Sequence, residues 1–192
     1  MPIPLGVLAV AGAGAGGAAG AYELLETVLV GSGGQATITF SNLNSSYGST
    51  YQHLQIRAAA RTARAANGDT GNLYLNGVTT SSYARHYLQG NGSAVSSDAV
   101  TSQSDMNNLY ALPGANATAN AFAAIVIDIL DPFEGTKNTT VRALSGLASN
   151  ENLIRLGSGF FNSTAAVTSI TLDAIGDFAQ YSRFSLYGMR SS

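Results

Sequence analysis

Two histidines, His53 and His86, are the only imidazoles in the chain, and imidazole is the side chain most often used as a general base. The stretch Asp128-Ile129-Leu130-Asp131-Pro132 sets two carboxylates three residues apart at the end of an apolar run. Glycoside hydrolysis needs two carboxyl groups about 5–10 Å apart across a cleft. Asp131 reads more simply as a turn opener, because the residue before a proline is held out of the α region. Each histidine falls inside an expected strand, with no acidic residue beside it in a recognisable pattern and no G-x-S-x-G elbow in the chain. A Ser-His-Asp triad is defined by geometry and not by order, and no spacing here singles one out. Cysteine is absent, which removes thiolate nucleophiles, disulfides and cysteine metal ligands. No D-x-D-x-D stretch supplies the dense oxygen ligands of a calcium loop. The reading is of a non-enzymatic chain with no catalytic, metal or cofactor site.

Binding chemistry is also thinly represented. Arg57, Arg61 and Arg64 form the one basic cluster. It is interleaved with alanines instead of aromatic residues, which favours a subunit contact over nucleic acid. Tyr47, Tyr51, Tyr74, Tyr83 and Tyr87 offer flat faces on which a sugar could stack, although tyrosine is an ordinary strand and interface residue. Five N-x-[S/T] matches, at Asn44, Asn91, Asn116, Asn138 and Asn162, read as by-products of Asn/Ser/Thr-rich turns. Gly12, Gly14 and Gly17 satisfy G-x-G-x-x-G. No helix fits between them and the next strand-like run, and no acidic residue ends that run, so a dinucleotide site is rejected.

The elements that would position these residues are strands. From Tyr22 onward, short alternating runs are bounded by Gly, Asn, Ser and Pro, the pattern of an all-β sandwich or barrel. The expected strands cover 22–30, 35–40, 51–60, 73–76, 83–89, 121–130, 139–144, 153–157, 167–172 and 183–189. In 51–60 the inner face is Leu54, Ile56, Ala58 and Ala60, with Tyr51, His53, Gln55 and Arg57 opposite. The β-branched run in 121–130 predicts a central strand buried on both sides. The one segment with a helical apolar period is 104–112. Residues 90–120 are the longest expected irregular stretch and a first candidate recognition surface; 145–152 is a second. The fold class is an antiparallel, jelly-roll-like β-sandwich over residues 22–192, preceded by an apolar Gly/Ala-rich arm, 1–21.

From Ile3 to Ala21 no side chain is charged or able to hydrogen-bond. Pro2, Pro4 and the Gly/Ala run are too weak in hydrophobicity and helix propensity for a transmembrane helix. No Lys or Arg precedes Arg57, so the positive start of a secretory signal is missing. The segment reads as an arm that docks against a partner. Charged residues are 10% of the chain, Lys137 is the single lysine and net charge is −2, against about 25% charged in ordinary globular proteins. Such a surface lacks the electrostatic footprint of nucleic-acid binding and suits a homo-oligomer whose faces are covered by neighbours.

Val167-Thr168-Ser169-Ile170, followed by Ser182-Arg183-Phe184-Ser185-Leu186-Tyr187-Gly188, resembles the ending of short virion structural proteins of tailed phages, notably marine ones. The resemblance extends upstream through Tyr22-Glu23-Leu24-Leu25-Glu26-Thr27, 51–57, 127–131 and Lys137-Asn138-Thr139-Thr140-Val141-Arg142, and so spans nearly the whole chain. It implies a virion component assembled in the bacterial cytoplasm, with a β-sandwich body and no catalytic residues to carry over. The expected role is a surface subunit, a head decoration or tail-associated protein, whose partners are other virion proteins. The alternative is a lectin-like module of the tail that binds host surface glycan through 90–120 and nearby tyrosines. The closing strand should turn Phe184 and Leu186 inward and Arg183 and Tyr187 outward.

Overall fold

Twelve strands and one short helix make up the described residues, 22–148 and 152–190, of this computed structural model. The first half contains β1 (Tyr22–Leu29), β2 (Gln35–Phe40), α1 (Leu43–Tyr47), β3 (His53–Ala60), β4 (Gly68–Leu75), β5 (Tyr83–Gly90) and β6 (Val95–Gln103). The second contains β7 (Met106–Pro113), β8 (Ala123–Leu130), β9 (Thr139–Leu147), β10 (Leu153–Phe161), β11 (Ile170–Phe178) and β12 (Arg183–Met189). They form a β-sandwich: an eight-stranded sheet ordered β1-β12-β3-β8-β9-β10-β5-β6 faces a four-stranded sheet ordered β2-β11-β4-β7. The chain passes repeatedly from one sheet to the other, so β12 closes the large sheet between β1 and β3, and β11 closes the small one between β2 and β4. The expected apolar arm, 1–21, lies outside the described residues.

Alternation sets the core. Leu54, Ile56, Ala58 and Ala60 point inward from β3, as do Phe184 and Leu186 from β12, while Arg183 and Arg57 face out. One inner row runs Leu186, Ile56, Ile127, Ala143, Gly157 across the large sheet. Its side chains shrink toward β9 and β10, and β7 lies on that end. A Cβ on Gly157 would sit 2.3 Å from the Leu109 carbonyl oxygen, and one on Gly159 would meet Met106 Sδ at 2.2 Å. Glycine at these two positions is what lets a second backbone approach so closely.

β7 is the end strand of the small sheet, and two polar side chains of the large sheet meet its unpaired edge. Ser145 Oγ accepts the Ala111 N–H at 2.9 Å, and the Arg155 guanidinium donates to the Asn108 carbonyl at 3.2 Å. Both side chains are buried. They replace the strand that would otherwise satisfy this edge, which is how buried backbone groups avoid going unpaired.

Several expectations are corrected. The segment 104–112 is not helical; it lies mostly in β7, where Leu109, Tyr110, Ala111 and Leu112 are all buried. Burial on both faces removes the period-2 signal and leaves an apolar spacing that imitates a helix. The helix present is α1, five residues long. The irregular stretch 90–120 contains β6 and β7. Its first turn is closed by Asn91 Oδ1, which accepts the Ser93 and Ala94 N–H groups, with Gly92 at φ 87°. Of the second candidate surface, 145–147 belong to β9 and 149–151 are outside the described residues. β8 is central but not buried on both sides: Ala124 and Leu130 are exposed on its outer face. β4 begins earlier than the expected 73–76, β10 runs on past 153–157, and β11 is shifted forward from 167–172, starting at Ile170 and ending at Phe178.

Candidate functional site

The residues singled out for chemistry do not converge. His53 and His86 both point to the outer face of the large sheet but lie on β3 and β5, four strand positions apart, about 19 Å at 4.8 Å per strand. His53 Nδ1 accepts the Asp131 N–H at 3.0 Å. The Asp131 carboxylate receives Lys137 at 2.5 Å and Gln52 at 3.0 Å, and the hydrogen bond from Lys137 holds its carboxyl below the usual range. Asp131 opens the turn before Pro132, as expected, but in a left-handed conformation at φ 45° and not in the extended one a following proline favours. Asp128, on the outer face of β8, is engaged by Arg142 at 2.7 Å and by Gln55 at 2.6 Å. Each carboxylate thus has its own cation, and no acid/base pair forms across a cleft.

The basic cluster is likewise dispersed. Arg57 packs over the stacked rings of Tyr22 and Tyr187, 4.9 and 5.6 Å from their centroids. Arg61 donates to the Gly114 carbonyl at 2.9 Å and tethers the 114–121 connection. Arg64 reaches the buried Asp69 at 3.4 Å. β3 ends at Ala60, before Arg61 could share its face.

The tyrosines form no common platform. Tyr83 stacks on Phe161 in the core and its hydroxyl donates to the Val78 carbonyl at 3.0 Å. Tyr51 is buried and donates to Glu23 at 2.7 Å. The Tyr87 ring lies against the Arg85 and Arg155 guanidiniums at 5.0 and 4.6 Å. Among the described residues no group of three or more His, Cys, Asp or Glu side chains is placed to hold a metal ion, and no helix is long and apolar enough to cross a membrane.

Two features escaped the sequence reading. The first is a pair of carboxylates with raised pKa, Asp105 and Asp173. Burial disfavours the charged form of both, and the Asp173 charge adds to the shift at Asp105. Asp173 accepts from Asn72 at 2.9 Å, whereas Asp105 Oδ1 is enclosed without a hydrogen-bond partner.

The second is larger. The outer face of β8, β9, β10 and β5 is an exposed apolar surface, carrying Leu130, Leu144, Ile154, Leu156, Phe160 and Leu88. Leu144, Leu156 and Leu88 retain 51%, 47% and 51% of their accessible surface, and they stand on three adjacent strands. Shallow grooves of about 300 and 410 Å³ cross the face and share Arg142 and Leu156 in their walls. A third, of about 340 Å³, continues toward β6 past Phe160 and Ala99. Soluble monomers rarely leave a contiguous apolar surface of this extent uncovered, and such surfaces mark contacts with other molecules. The charges at its centre are an internal pair, Asp128 with Arg142. The signal was present in the sequence: Arg142-Ala143-Leu144-Ser145 and Arg155-Leu156-Gly157 put the larger apolar residue on the face opposite the small ones, the reverse of an ordinary half-buried strand.

No family model, no curated protein and no solved structure matches this chain.

Proposed function

We propose that this chain is a non-enzymatic structural subunit of a tailed-phage virion, a head decoration or tail-associated protein held on the particle by its apolar arm, 1–21. The observation that carries the reading is the apolar outer face of β8, β9, β10 and β5 on a chain with so little charge. A sandwich built this way is designed to be covered. Support also comes from the resemblance of the closing strand and the upstream segments to virion proteins, and from the structural partners that hold His53, Asp128, Asp131, Arg57, Arg61 and Arg64. Fold alone does not fix the role; the surface and the resemblance point the same way.

The test is labelling of intact virions with an antibody raised against residues 22–192, viewed by electron microscopy. Label on the head shell is expected for a decoration protein, and label on the tail for a tail-associated one. Tail label would also make a glycan array the next measurement, since adsorption to host glycan would then be open to this subunit. Absence of the chain from intact and from dissociated particles overturns the reading.

A further inference from the structure

We infer that the outer face of β8, β9, β10, β5 and β6 is a self-association surface, and that a second copy of this chain covers it. The inference rests on the structural-subunit reading and names the partner of the same face.

Size is the first argument. Five neighbouring strands at about 4.8 Å and eight residues at about 3.4 Å give a plan area of roughly 650 Å², close to the ~800 Å² per partner of a stable complex. The surface is apolar at its centre, where Leu88, Leu144 and Leu156 stand on adjacent strands. Its far rim on β6 is uncharged and mixed, with Ser97 and Thr101 beside Ala99 and the exposed Val95 on the same side. An apolar centre depleted of charge is the anatomy of an interface core.

Charge decides for an identical partner. Around a two-fold axis every charged group lies near its own copy, so an unpaired charge on an isologous face repels itself. Here the charged side chains on the β8–β9 side of the face neutralise each other within one copy, Asp128 with Arg142 at 2.7 Å, and the outward residues of β10 and β5 carry neither carboxylate nor guanidinium. Two such faces can be laid together as sheets pack, about 10 Å apart, without bringing like charges into contact.

The experiment is sedimentation velocity of the full chain from low to high micromolar concentration, with Leu144→Glu and Leu156→Glu as interface variants and Ile175→Glu, exposed on β11, as the control. The wild type and the control should form dimers. Each interface variant should weaken association by about 30-fold or more, as loss of an interface hot spot does, with an unchanged melting temperature. The absence of cysteine allows a second readout. Ile154 and Ile175 are both 64% exposed; in the dimer, Ile154→Cys should react with a maleimide at least about 10-fold more slowly than Ile175→Cys, and at the same rate once diluted to monomer. A wild type that stays monomeric overturns the inference, as does association that survives both interface variants. A protected thiol in a monomer would show that the chain's own arm covers the face, and overturns it too. Virion labelling is independent of these results: labelled particles with a monomeric chain would leave the virion role standing and assign the face to another virion protein.

Discussion

The Asp69 carboxylate has no exposed surface, and its oxygens accept from the Thr62 hydroxyl at 2.7 Å, the Gly176 N–H at 3.0 Å and the Thr70 N–H at 2.8 Å. It ties β4 to β11 and to the segment after β3. Asp69→Ala strands those buried donors and leaves Arg64 without its partner, so it should destabilise the fold by about 3 kcal/mol, measured by urea unfolding. Asp105 behaves oppositely. Its folded pKa lies above the unfolded value, so the native state binds more protons across that window and stability falls as pH rises through it. Asp105→Asn should therefore melt about 2–4 °C above the wild type at pH 7, the effect of ~1 kcal/mol in a domain of this size. The gap should close below the usual carboxylate pKa, where Asp105 is protonated in both states. Asp131 has the other sign, since its lowered pKa gives stability that is lost as pH falls. Both proteins share that loss, so the difference between their melting curves isolates Asp105.

At the scale of elements, β7 is the strand most dependent on its neighbours. Ser145→Ala leaves the buried Ala111 N–H unpaired and should cost about 1–3 kcal/mol, with faster amide exchange at Ala111 as the local readout. Gly157→Ala should cost a similar ~1–3 kcal/mol, because its new Cβ would displace β7 at the Leu109 carbonyl. Gly146→Ala is the control, since a Cβ there meets nothing within 4 Å. Strands such as β3 and β12, with one buried face, could be read from alternation almost residue by residue. β6 could not, because its side chains are largely exposed on both sides and no apolar face is selected. β7 could not for the opposite reason, having too few polar positions to mark a period.

For the whole molecule, the order of strands governs folding. β1 pairs with β12, β2 with β11 and β3 with both β8 and β12, so the sheets cannot close until distant parts of the chain meet. Loop closure must come before those contacts stabilise anything, and refolding in stopped flow should take milliseconds to seconds instead of microseconds. The same topology explains the shape of the outer face. β8, β9 and β10 run as a consecutive meander that sets Val126, Leu144 and Leu156 in one row and Leu130 and Phe160 in another across Thr140, while β5 arrives from an earlier part of the chain to add Leu88.

The sequence by itself determined the class of fold, most of its strands, the inward and outward faces of β3 and β12, and the absence of thiol chemistry. Those properties depend on residue type and on near neighbours, which the linear order contains. Only the tertiary structure decided that the two histidines stay apart, that Arg57, Arg61 and Arg64 go to three different partners, and that Asp105 is enclosed beside Asp173. It also turned isolated leucines into one apolar surface. A side chain's exposure and its neighbours across a sheet depend on which strands pair and in what register, and those pairings join residues as distant in sequence as Tyr22 and Met189.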